Sequence, residues 1–260
     1  MDSWRTAIVK ADETDIWLRG FDVRSLMRDH GFVETIFLLH RGRLPTPGER
    51  KLLDAILVGV SDHGAGAPSC AAARIVASGN RQSVAAAVGA GVLAIGDEHG
   101  AAGAACMALI AGQLETAAAN TESIEAAAMR AVDESRARGT RLPGLGHRVH
   151  RSVDPRVDVL FTMAGETGVA GDGVRFMRAL ERAAAARIKP LPINIDGALA
   201  AVLHDIGFPA QIGTFIFIIG RVAGITAEVA EEYARERPMR IRIPVEYDGA
   251  PPRPGHENQD

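Results

Sequence analysis

The sequence is poor in aromatic residues, cysteine and unbalanced charge, and each scarcity narrows the class of protein. Aromatic residues make up 5% of the 260 residues, and the two cysteines, Cys70 and Cys106, lie in alanine-rich apolar stretches. Cysteines so placed predict buried thiols rather than a disulfide framework. The net charge is −3, so no strong electrostatic field attracts nucleic acid or an anionic membrane surface.

We expect neither a targeting segment nor a membrane-spanning segment. The first 19 residues are studded with charges and lack the apolar centre of a signal peptide. The longest uncharged runs, near residues 82–96 and 99–114, are short and broken by glycine, which argues against a membrane span. We therefore expect a cytoplasmic protein that binds neither membrane nor nucleic acid.

Several catalytic motifs do not occur. The chain has no HExxH pattern, no G-x-S-x-G pattern and no G-x-G-x-x-G after a strand, which disfavours a metalloprotease, a serine hydrolase and a dinucleotide fold. A zinc site built from His147, His150 and either His63 or His99 is the minor alternative, and the main expectation is that no metal binds.

Helical periodicity dominates what is present. The stretch 42–48 is expected to break a helix. Thr46, near the end of this stretch, and Glu49 form a capping-box pattern, and an apolar stripe follows. Strand-like alternation is almost absent, apart from a short strand near residues 7–10, and residues 17–23 are interpreted as a turn into a helix. Further helices are predicted at 82–95, 99–114, 124–136, 155–164, 174–188 and 222–236, with a short apolar run at 212–219 and disorder from 251. The fold class is all-α.

The glycine-rich stretch from Leu142 to His150 is the centre of the functional prediction. Gly144 and Gly146 allow positive φ angles and a close approach of a ligand to the backbone. His147 follows directly and exchanges protons near neutral pH, and Arg148 adds positive charge beside it. A histidine and an arginine on one loop suit a substrate that carries carboxylates, although a surface loop with a structural histidine is the simpler alternative.

Four loops at predicted helix boundaries each carry one polar side chain beside glycine. These residues are His63, His99, His147 and Asp196. A histidine at a helix end often only caps the helix, so each loop alone is weak evidence for a catalytic site. Together they predict an active site in which distant parts of the chain converge.

An ordered set of short segments resembles the citrate synthase superfamily, in particular its short citryl-CoA lyase form, which is similar to the C-terminal module of ATP-citrate lyase. The resemblance runs along nearly the whole chain. The matching segments are Arg19-Gly20-Phe21-Asp22, Gly42-Arg43-Leu44-Pro45-Thr46, Ser61-Asp62-His63-Gly64, Ile95-Gly96-Asp97, Gly144 to Arg148, Asp154-Pro155-Arg156, Asn194-Ile195-Asp196-Gly197, Gly220-Arg221 and Arg237-Pro238.

The resemblance implies a catalytic set of His99, His147 and Asp196. His99 matches the synthase histidine that hydrogen-bonds the thioester oxygen of acetyl-CoA. His147 matches the histidine that exchanges a proton with the keto or hydroxyl oxygen of the four-carbon partner. Asp196 matches the carboxylate that takes the acetyl α-proton, or returns it in cleavage. Such a weak carbon acid loses its proton only when a positioned donor stabilises the enolate as it forms.

The resemblance also implies a set that binds carboxylates. His63 matches the histidine that contacts the oxaloacetate or citrate moiety, and Arg156 and Arg221 match arginines that clamp the substrate carboxylates. Arg237 resembles a third such arginine, which in the family reaches in from the other subunit. This last match, the apolar character of residues 82–95 and the late position of Arg237 in the chain predict a homodimer or a multiple of one.

Coenzyme A is expected as part of the substrate rather than as a tightly bound cofactor. Gly144, Leu145 and Gly146 lie where the backbone of the family meets the CoA adenine, and Arg148 lies beside them. The partners implied are an acyl-CoA and a di- or tricarboxylate.

The chain departs from the full synthases in three places. His63 follows Pro45 by only 18 positions, whereas full citrate synthases carry a much longer segment there. His99 is synthase-like, because the ATP-citrate lyase module has an aromatic residue at this position. The synthase's asparagine shortly after that histidine is Gly103 here. Length therefore favours a lyase, and His99 is compatible with a synthase.

The resemblance implies two helical domains with the active site in the cleft between them. The large domain would comprise residues 1–98 and 211–260, and the small domain residues 99–210. The implied function is reversible aldol-type cleavage of citryl-CoA to acetyl-CoA and oxaloacetate. The alternatives are a minimal citrate or alkylcitrate synthase and a non-catalytic CoA-binding paralogue.

Overall fold

The computed structural model describes residues 3–100, 102–146 and 153–251, and these residues are predominantly helical. This agrees with the predicted all-α class. The eleven helices in the described residues are α1 (Val23–Asp29), α2 (Phe32–Arg41), α3 (Pro47–Val60), α4 (Pro68–Gly79), α5 (Val84–Leu93), α6 (Ala102–Asn120), α7 (Ile124–Arg138), α8 (Pro155–Glu166), α9 (Asp172–Arg187), α10 (Ile195–Asp205) and α11 (Ile212–Arg235).

A small antiparallel sheet at the N-terminus corrects one sequence expectation. The strands β1 (Val9–Ala11), β2 (Ile16–Leu18) and β3 (Phe21–Asp22) lie in that order, where a turn into a helix was predicted for residues 17–23. A tight turn at Arg19 and Gly20, both with positive φ, joins β2 to β3. Strands of two or three residues are too short to give a visible alternation of polar and apolar residues.

Helix boundaries near the N-terminus follow the predicted capping chemistry. Gly42 takes the left-handed conformation, with φ of 73°, and ends α2. Thr46 caps α3 by accepting a hydrogen bond from the Glu49 N–H, and the Glu49 carboxylate accepts one from the Thr46 N–H. Pro47 occupies the first helical position, where a missing N–H has no cost.

The helix α11 is one continuous element of 24 residues, whereas the sequence predicted an apolar run at 212–219 and a helix from 222. Gly220 and Gly224 do not break this helix, because they let neighbouring parts of the chain pack closely against it. A Cβ at Gly220 would lie 2.5 Å from Val60 Cγ2, and a Cβ at Gly224 would collide with the Ser61 carbonyl oxygen. Similarly, Ile188 was predicted inside α9 but only caps its end, exposed.

The helices pack in two neighbouring groups. α6, α7, α9 and α10 pack mainly on one another, and α3, α4 and α5 pack around α11. The central element of the first group is α10, which is buried along most of its length, so its N-terminus lies inside the protein. The fully buried residues of α10 are Ala198, Leu199, Ala200, Ala201, Val202 and Leu203.

The helices α6 and α11 are longer than the helices that the sequence predicted in these regions. α6 and α11 are long and apolar enough to cross a membrane by length and composition alone, and 33% and 44% of their most apolar windows are buried inside the structure. Core helices of soluble proteins pass the same test. Within α11, moreover, Arg221 is buried in the protein, where its guanidinium N–H groups donate hydrogen bonds to α3 and α4.

The N-terminus of α9 is held by a side chain from the end of α10. The Asp205 carboxylate accepts hydrogen bonds from the N–H groups of Gly171, Gly173 and Val174, at 2.7, 2.7 and 3.1 Å. These groups lack partners within the helix, so one carboxylate satisfies three donors at once.

We predict that Asp205→Ala lowers the free energy of unfolding by about 2 kcal/mol or more, because it leaves buried N–H groups without acceptors. Urea unfolding followed by circular dichroism measures this. The control is Asp172→Ala, which removes an exposed carboxylate from the first turn of the same helix. Equal stability of the two variants would contradict the proposed importance of the Asp205 cap.

Candidate active site

Asp196 lies in the first turn of α10. Asn194 is the N-cap of this helix, and its side-chain oxygen accepts a hydrogen bond from the Gly197 N–H at 3.1 Å. The Ile195 N–H donates to the carboxylate of Asp154 at 3.1 Å. These N–H groups of the helix end are therefore directed to neighbouring side chains rather than to the Asp196 carboxylate.

The Asp196 carboxyl group is in an unusual environment. Its Oδ1 atom is buried and has no hydrogen-bond partner among the described residues. Burial raises the pKa of Asp196 to about 6; the positive charges of Arg156 and Arg221 lower it, and the charge of Asp154 raises it further. A carboxyl group with this pKa exists in both protonation states near neutral pH, which suits proton exchange.

Arg156 and Arg221 converge on the C-terminal end of α3. Arg156 Nη1 donates to the Gly59 carbonyl oxygen at 3.1 Å, and Arg221 Nε donates to the Val60 carbonyl oxygen at 2.8 Å. Consecutive carbonyls at the negative end of one helix thus place two guanidinium groups beside each other. Burial lowers the pKa of Arg221 from its usual value. Two adjacent cations predict affinity for a molecule with several carboxylates.

Asp154 is the shared acceptor that joins this pair to α10. Its side chain is fully buried and accepts hydrogen bonds from Arg156 Nε at 2.9 Å and Arg156 Nη2 at 2.8 Å, in addition to the one from Ile195. The two-point contact fixes the plane of the guanidinium group. Asp154 therefore sets the position of Arg156 relative to the helix that carries Asp196.

His99 is connected to Arg221 through Ser69. The Ser69 N–H donates to His99 Nε2 at 3.3 Å, and Ser69 Oγ lies 2.9 Å from the same nitrogen. Arg221 Nη1 donates to Ser69 Oγ at 3.3 Å, so the hydroxyl proton is directed to the imidazole. Because Nε2 accepts, the proton of the neutral ring lies on Nδ1, which leaves Nδ1 as the hydrogen-bond donor.

The loop Gly144-Leu145-Gly146 lies against the segment that precedes α10. Gly144 and Gly146 both have positive φ, 82° and 81°, as their side-chain-free backbone allows. The Gly146 N–H donates to the Pro192 carbonyl at 2.7 Å, and the Asn194 N–H donates to the Gly144 carbonyl at 3.0 Å. The predicted adenine-binding loop therefore lies next to Asp196.

The other predicted site residues fall into two classes. His63 is exposed in the loop between α3 and α4, three residues beyond the Val60 carbonyl. Arg237 is exposed just after α11. His147 and Arg148 lie outside the described residues, as does the His150 of the zinc alternative.

The segment that carries Arg237 is held by a buried charge. Glu232 is fully buried and accepts from Arg74 Nε at 3.0 Å and from Arg240 Nε at 2.9 Å. The Met239 N–H donates to the Ser78 carbonyl at 2.9 Å. Contacts on the C-terminal side of Arg237 therefore hold the segment after it against α4 and α11.

Sequence reasoning missed three residues that organise this site: Ser69, Asp154 and Asn194. Asp154 stands in a segment that matches the family and was given no role of its own, whereas it is the N-cap of α8 and Pro155 is the first residue of that helix. That capping pattern was readable, as was Asn194 before a helical stretch. The contact of Ser69 with His99 was not readable, because the two residues are 30 positions apart.

Among the described residues, potential metal ligands gather in one group, formed by Asp62, Cys70 and Glu228. Neither His63 nor His99 belongs to it, so the zinc alternative gains no support from these two residues. Cys70 donates to Asp62, and burial followed by the charge of Asp62 raises the pKa of the Cys70 thiol to about 11. Both cysteines are free and buried, as predicted.

The comparison with protein families agrees with the predicted resemblance. Residues 45–242, most of the chain, match the family described as the C-terminal domain of citrate synthase. Citrate synthase 2 of Bacillus subtilis is 28% identical over 237 residues, which are 89% of this chain and 59% of that protein. The chain thus spans little more than half the length of this curated relative.

Solved structures show a similar fold over nearly the whole chain. The citryl-CoA lyase of Hydrogenobacter thermophilus is 35% identical, with a TM-score of 0.87 and 96% of both chains covered. A variant of the ATP citrate lyase of Methanosaeta concilii, solved with (3S)-citryl-CoA, has a TM-score of 0.78 at 20% identity, and the match covers 99% of this chain and 43% of that one. With its predominantly helical fold and the family match over most of its length, this chain belongs to the citrate synthase family.

Proposed function

We propose that this protein is a citryl-CoA lyase, which cleaves citryl-CoA to acetyl-CoA and oxaloacetate. The observation that carries the proposal is Asp196, a carboxyl group with a pKa of about 6 in the field of Arg156 and Arg221. A proton donor and acceptor beside two cations fits a reaction that moves a proton on carbon within a substrate rich in carboxylates. The likeness in length to a citryl-CoA lyase supports this direction.

Cleavage would proceed through an enol or enolate of acetyl-CoA. His147 takes the proton of the citryl hydroxyl group, the carbon–carbon bond breaks, and the keto group of oxaloacetate forms. The electron pair of the broken bond passes to the acetyl fragment, whose thioester oxygen accepts a hydrogen bond from His99. Asp196 then delivers its proton to the enolate carbon. In condensation the same groups act in reverse.

The hydrogen bonds of His99 support its role as a donor. Ser69 directs both its N–H and its hydroxyl group at Nε2, so the proton of the neutral ring lies on Nδ1, the nitrogen that we propose as the donor. A donor fixed before the reaction needs no reorganisation when the enolate forms, which is the usual source of its catalytic effect.

The carboxylates of the substrate would be bound by His63, Arg156, Arg221 and Arg237. Arg156 and Arg221 keep N–H groups that are not used by Asp154 and the carbonyls of α3, and these groups would bind the acid. The loop formed by Gly144, Leu145, Gly146 and Arg148 would bind the adenine end of coenzyme A. Coenzyme A would thus enter as part of the substrate, and we propose no tightly bound cofactor and no metal.

A citrate or alkylcitrate synthase is the second candidate. His99, held by Ser69, is the group that the condensation direction also requires, and the curated relatives include citrate synthases. We further propose that the protein is cytoplasmic and has two domains. One domain would comprise residues 1–98 and 211–260, the other would comprise residues 99–210, and the cleft between them would hold the site. The two groups of helices in the fold support this division.

We predict that the purified protein releases oxaloacetate from citryl-CoA, and that Asp196→Asn does so about 10²- to 10⁴-fold more slowly, the usual range for a general acid or base. Oxaloacetate is measured in a coupled assay, in which malate dehydrogenase reduces it with NADH. A parallel incubation with acetyl-CoA and oxaloacetate, followed by free thiol, tests the synthase reaction.

The matched control is Asp158→Asn, which removes an exposed carboxylate from the first turn of α8. Thiol release without cleavage of citryl-CoA would favour the synthase. Binding of CoA without either reaction would favour a non-catalytic paralogue. Activity of Asp196→Asn within a few-fold of wild type would remove Asp196 from the mechanism.

The buried position of Asp196 also predicts a pH-dependent cost to stability. Its pKa rises from an ordinary 3.8 in the unfolded chain to about 6 in the folded protein. Between these values the folded state binds more protons than the unfolded state, so the charge of Asp196 reduces stability as the pH rises.

We therefore predict that Asp196→Asn becomes more stable relative to wild type by about 2 kcal/mol from about pH 4.5 to about pH 7.5. Urea unfolding at several pH values measures the difference. Asp158→Asn again serves as the control and should show no such increase. A constant difference between Asp196→Asn and wild type would show that the carboxylate is not buried in the folded protein.

We propose that the protein assembles as a homodimer or a multiple of one. The single chain leaves a strongly apolar helix, α5, at its surface: only Ala87 and Gly91 are buried, and Leu93 is 87% exposed. Burial of such a face against a second copy is favourable. Arg237, which is exposed just after α11, would then enter the partner subunit's site.

We predict that mixing Arg237→Ala with Asp196→Asn restores activity that neither variant has alone. Equal amounts with free subunit exchange give about half mixed dimers with one intact site each, so about a quarter of wild-type activity should return. Light scattering monitors the assembly. A monomer with full activity would contradict the dimer, and a dimer without restored activity would place Arg237 in its own chain's site.

A further inference from the structure

Asn194 has side-chain contacts on both sides. Its Nδ2 group donates to the Gly146 carbonyl oxygen at 2.7 Å, and its Oδ1 atom accepts from the Gly197 N–H at 3.1 Å. One end of this amide therefore holds the glycine loop, and the other end holds the first turn of α10. Asp196 lies between Asn194 and Gly197 in the chain.

Backbone hydrogen bonds also connect the glycine loop to the segment before α10. Leu145 and Ile193 form an antiparallel bridge, flanked by the hydrogen bonds of Gly146 to Pro192 and of Asn194 to Gly144. The glycine loop and the segment before α10 thus form a short ladder. A displacement of the loop along or across this ladder would displace the start of α10.

The packing between the loop and the helix leaves no free space. A Cβ at Gly144 would lie 2.7 Å from Gly197 Cα and 2.6 Å from Cys106 Sγ. A Cβ at Gly197 would collide with the Gly144 carbonyl oxygen and lie 2.8 Å from Met177 Cε. The two backbones touch directly, so they move together or not at all.

We infer that Asn194 is a positioning residue that couples occupation of the glycine loop by the nucleotide end of coenzyme A to the placement of the Asp196 carboxylate. The inference rests on the proposed function, which assigns the loop to the adenine and the proton transfer to Asp196. It adds that the remote nucleotide raises kcat, in addition to any effect on KM, because its binding energy is used at the reacting carbon.

The experiment compares two thioesters of citrate, one with coenzyme A and one with pantetheine, which lacks the nucleotide. The test variant is Asn194→Ser. Serine still caps the helix by accepting from Gly197, is uncharged, and is too short to reach the Gly146 carbonyl. Asn194→Asp is the second variant, which keeps the size and the capping oxygen but has no N–H to donate.

For the wild type we expect kcat with the coenzyme A thioester to exceed kcat with the pantetheine thioester by about 10- to 100-fold, the effect of small misplacements of a reacting group. In both variants this ratio should fall towards one. A purely structural role of Asn194 would lower both kcat values together and leave the ratio unchanged. An unchanged ratio in the variants, or a ratio of one in the wild type, overturns the inference.

A second measurement does not depend on turnover. Adenosine 3′,5′-bisphosphate, the nucleotide end alone, should slow hydrogen exchange of the amides at Gly197 and Ala198 in the wild type and not in Asn194→Ser. Equal slowing in both proteins, or none in the wild type, overturns the coupling. A wild type that acts on neither thioester in cleavage or synthesis refutes the proposed function, and the exchange measurement then decides the inference alone.

Discussion

The carboxylate of Asp154 is the constraint on which the candidate site depends. It is fully buried, and removing one partner of a buried ion pair typically costs about 3–5 kcal/mol because the other charge is left uncompensated. Arg156 therefore cannot leave it cheaply. The same carboxylate also accepts a hydrogen bond from the Ile195 N–H. The guanidinium group of Arg156 and the start of α10 are therefore held at a fixed position relative to each other. A residue that contacts no reacting atom in the proposed mechanism thus defines the distance between the proposed clamp and the proposed base.

The same hydrogen bonds explain why Asp196 has a raised pKa at a helix N-terminus, where the helix dipole normally favours a negative charge. Such stabilisation acts mainly through free N–H groups in the first turn. Here Ile195 donates to Asp154 and Gly197 donates to Asn194, so these groups are already occupied. Burial then dominates, and the pKa rises to about 6. Capping that stabilises α10 also leaves its second residue reactive.

Local chemistry was predictable from the sequence, and long-range contacts were not. The capping box of Thr46 and Glu49 and the glycine end of α2 depend on adjacent residues, and the structure confirms them. The sequence wrongly predicted an interruption of α11 before residue 222. A glycine can break a helix or let another helix approach, and the sequence alone does not show which of the two Gly220 and Gly224 do. The likeness to a known family indicated which polar residues converge. It did not indicate the partner through which His99 and Arg221 meet.

The polarity of helix ends accounts for the arrangement of charges across the site. The negative end of α3 receives Arg156 and Arg221 through the carbonyls of Gly59 and Val60. The positive end of α4 directs the Ser69 N–H at His99 Nε2, and the positive end of α10 directs an N–H at Asp154. Each of these three helix ends therefore faces a group of complementary charge or a lone pair. Groups oriented by backbone dipoles in this way need no reorganisation when a substrate binds, which is what the proposed stabilisation of an enolate would require.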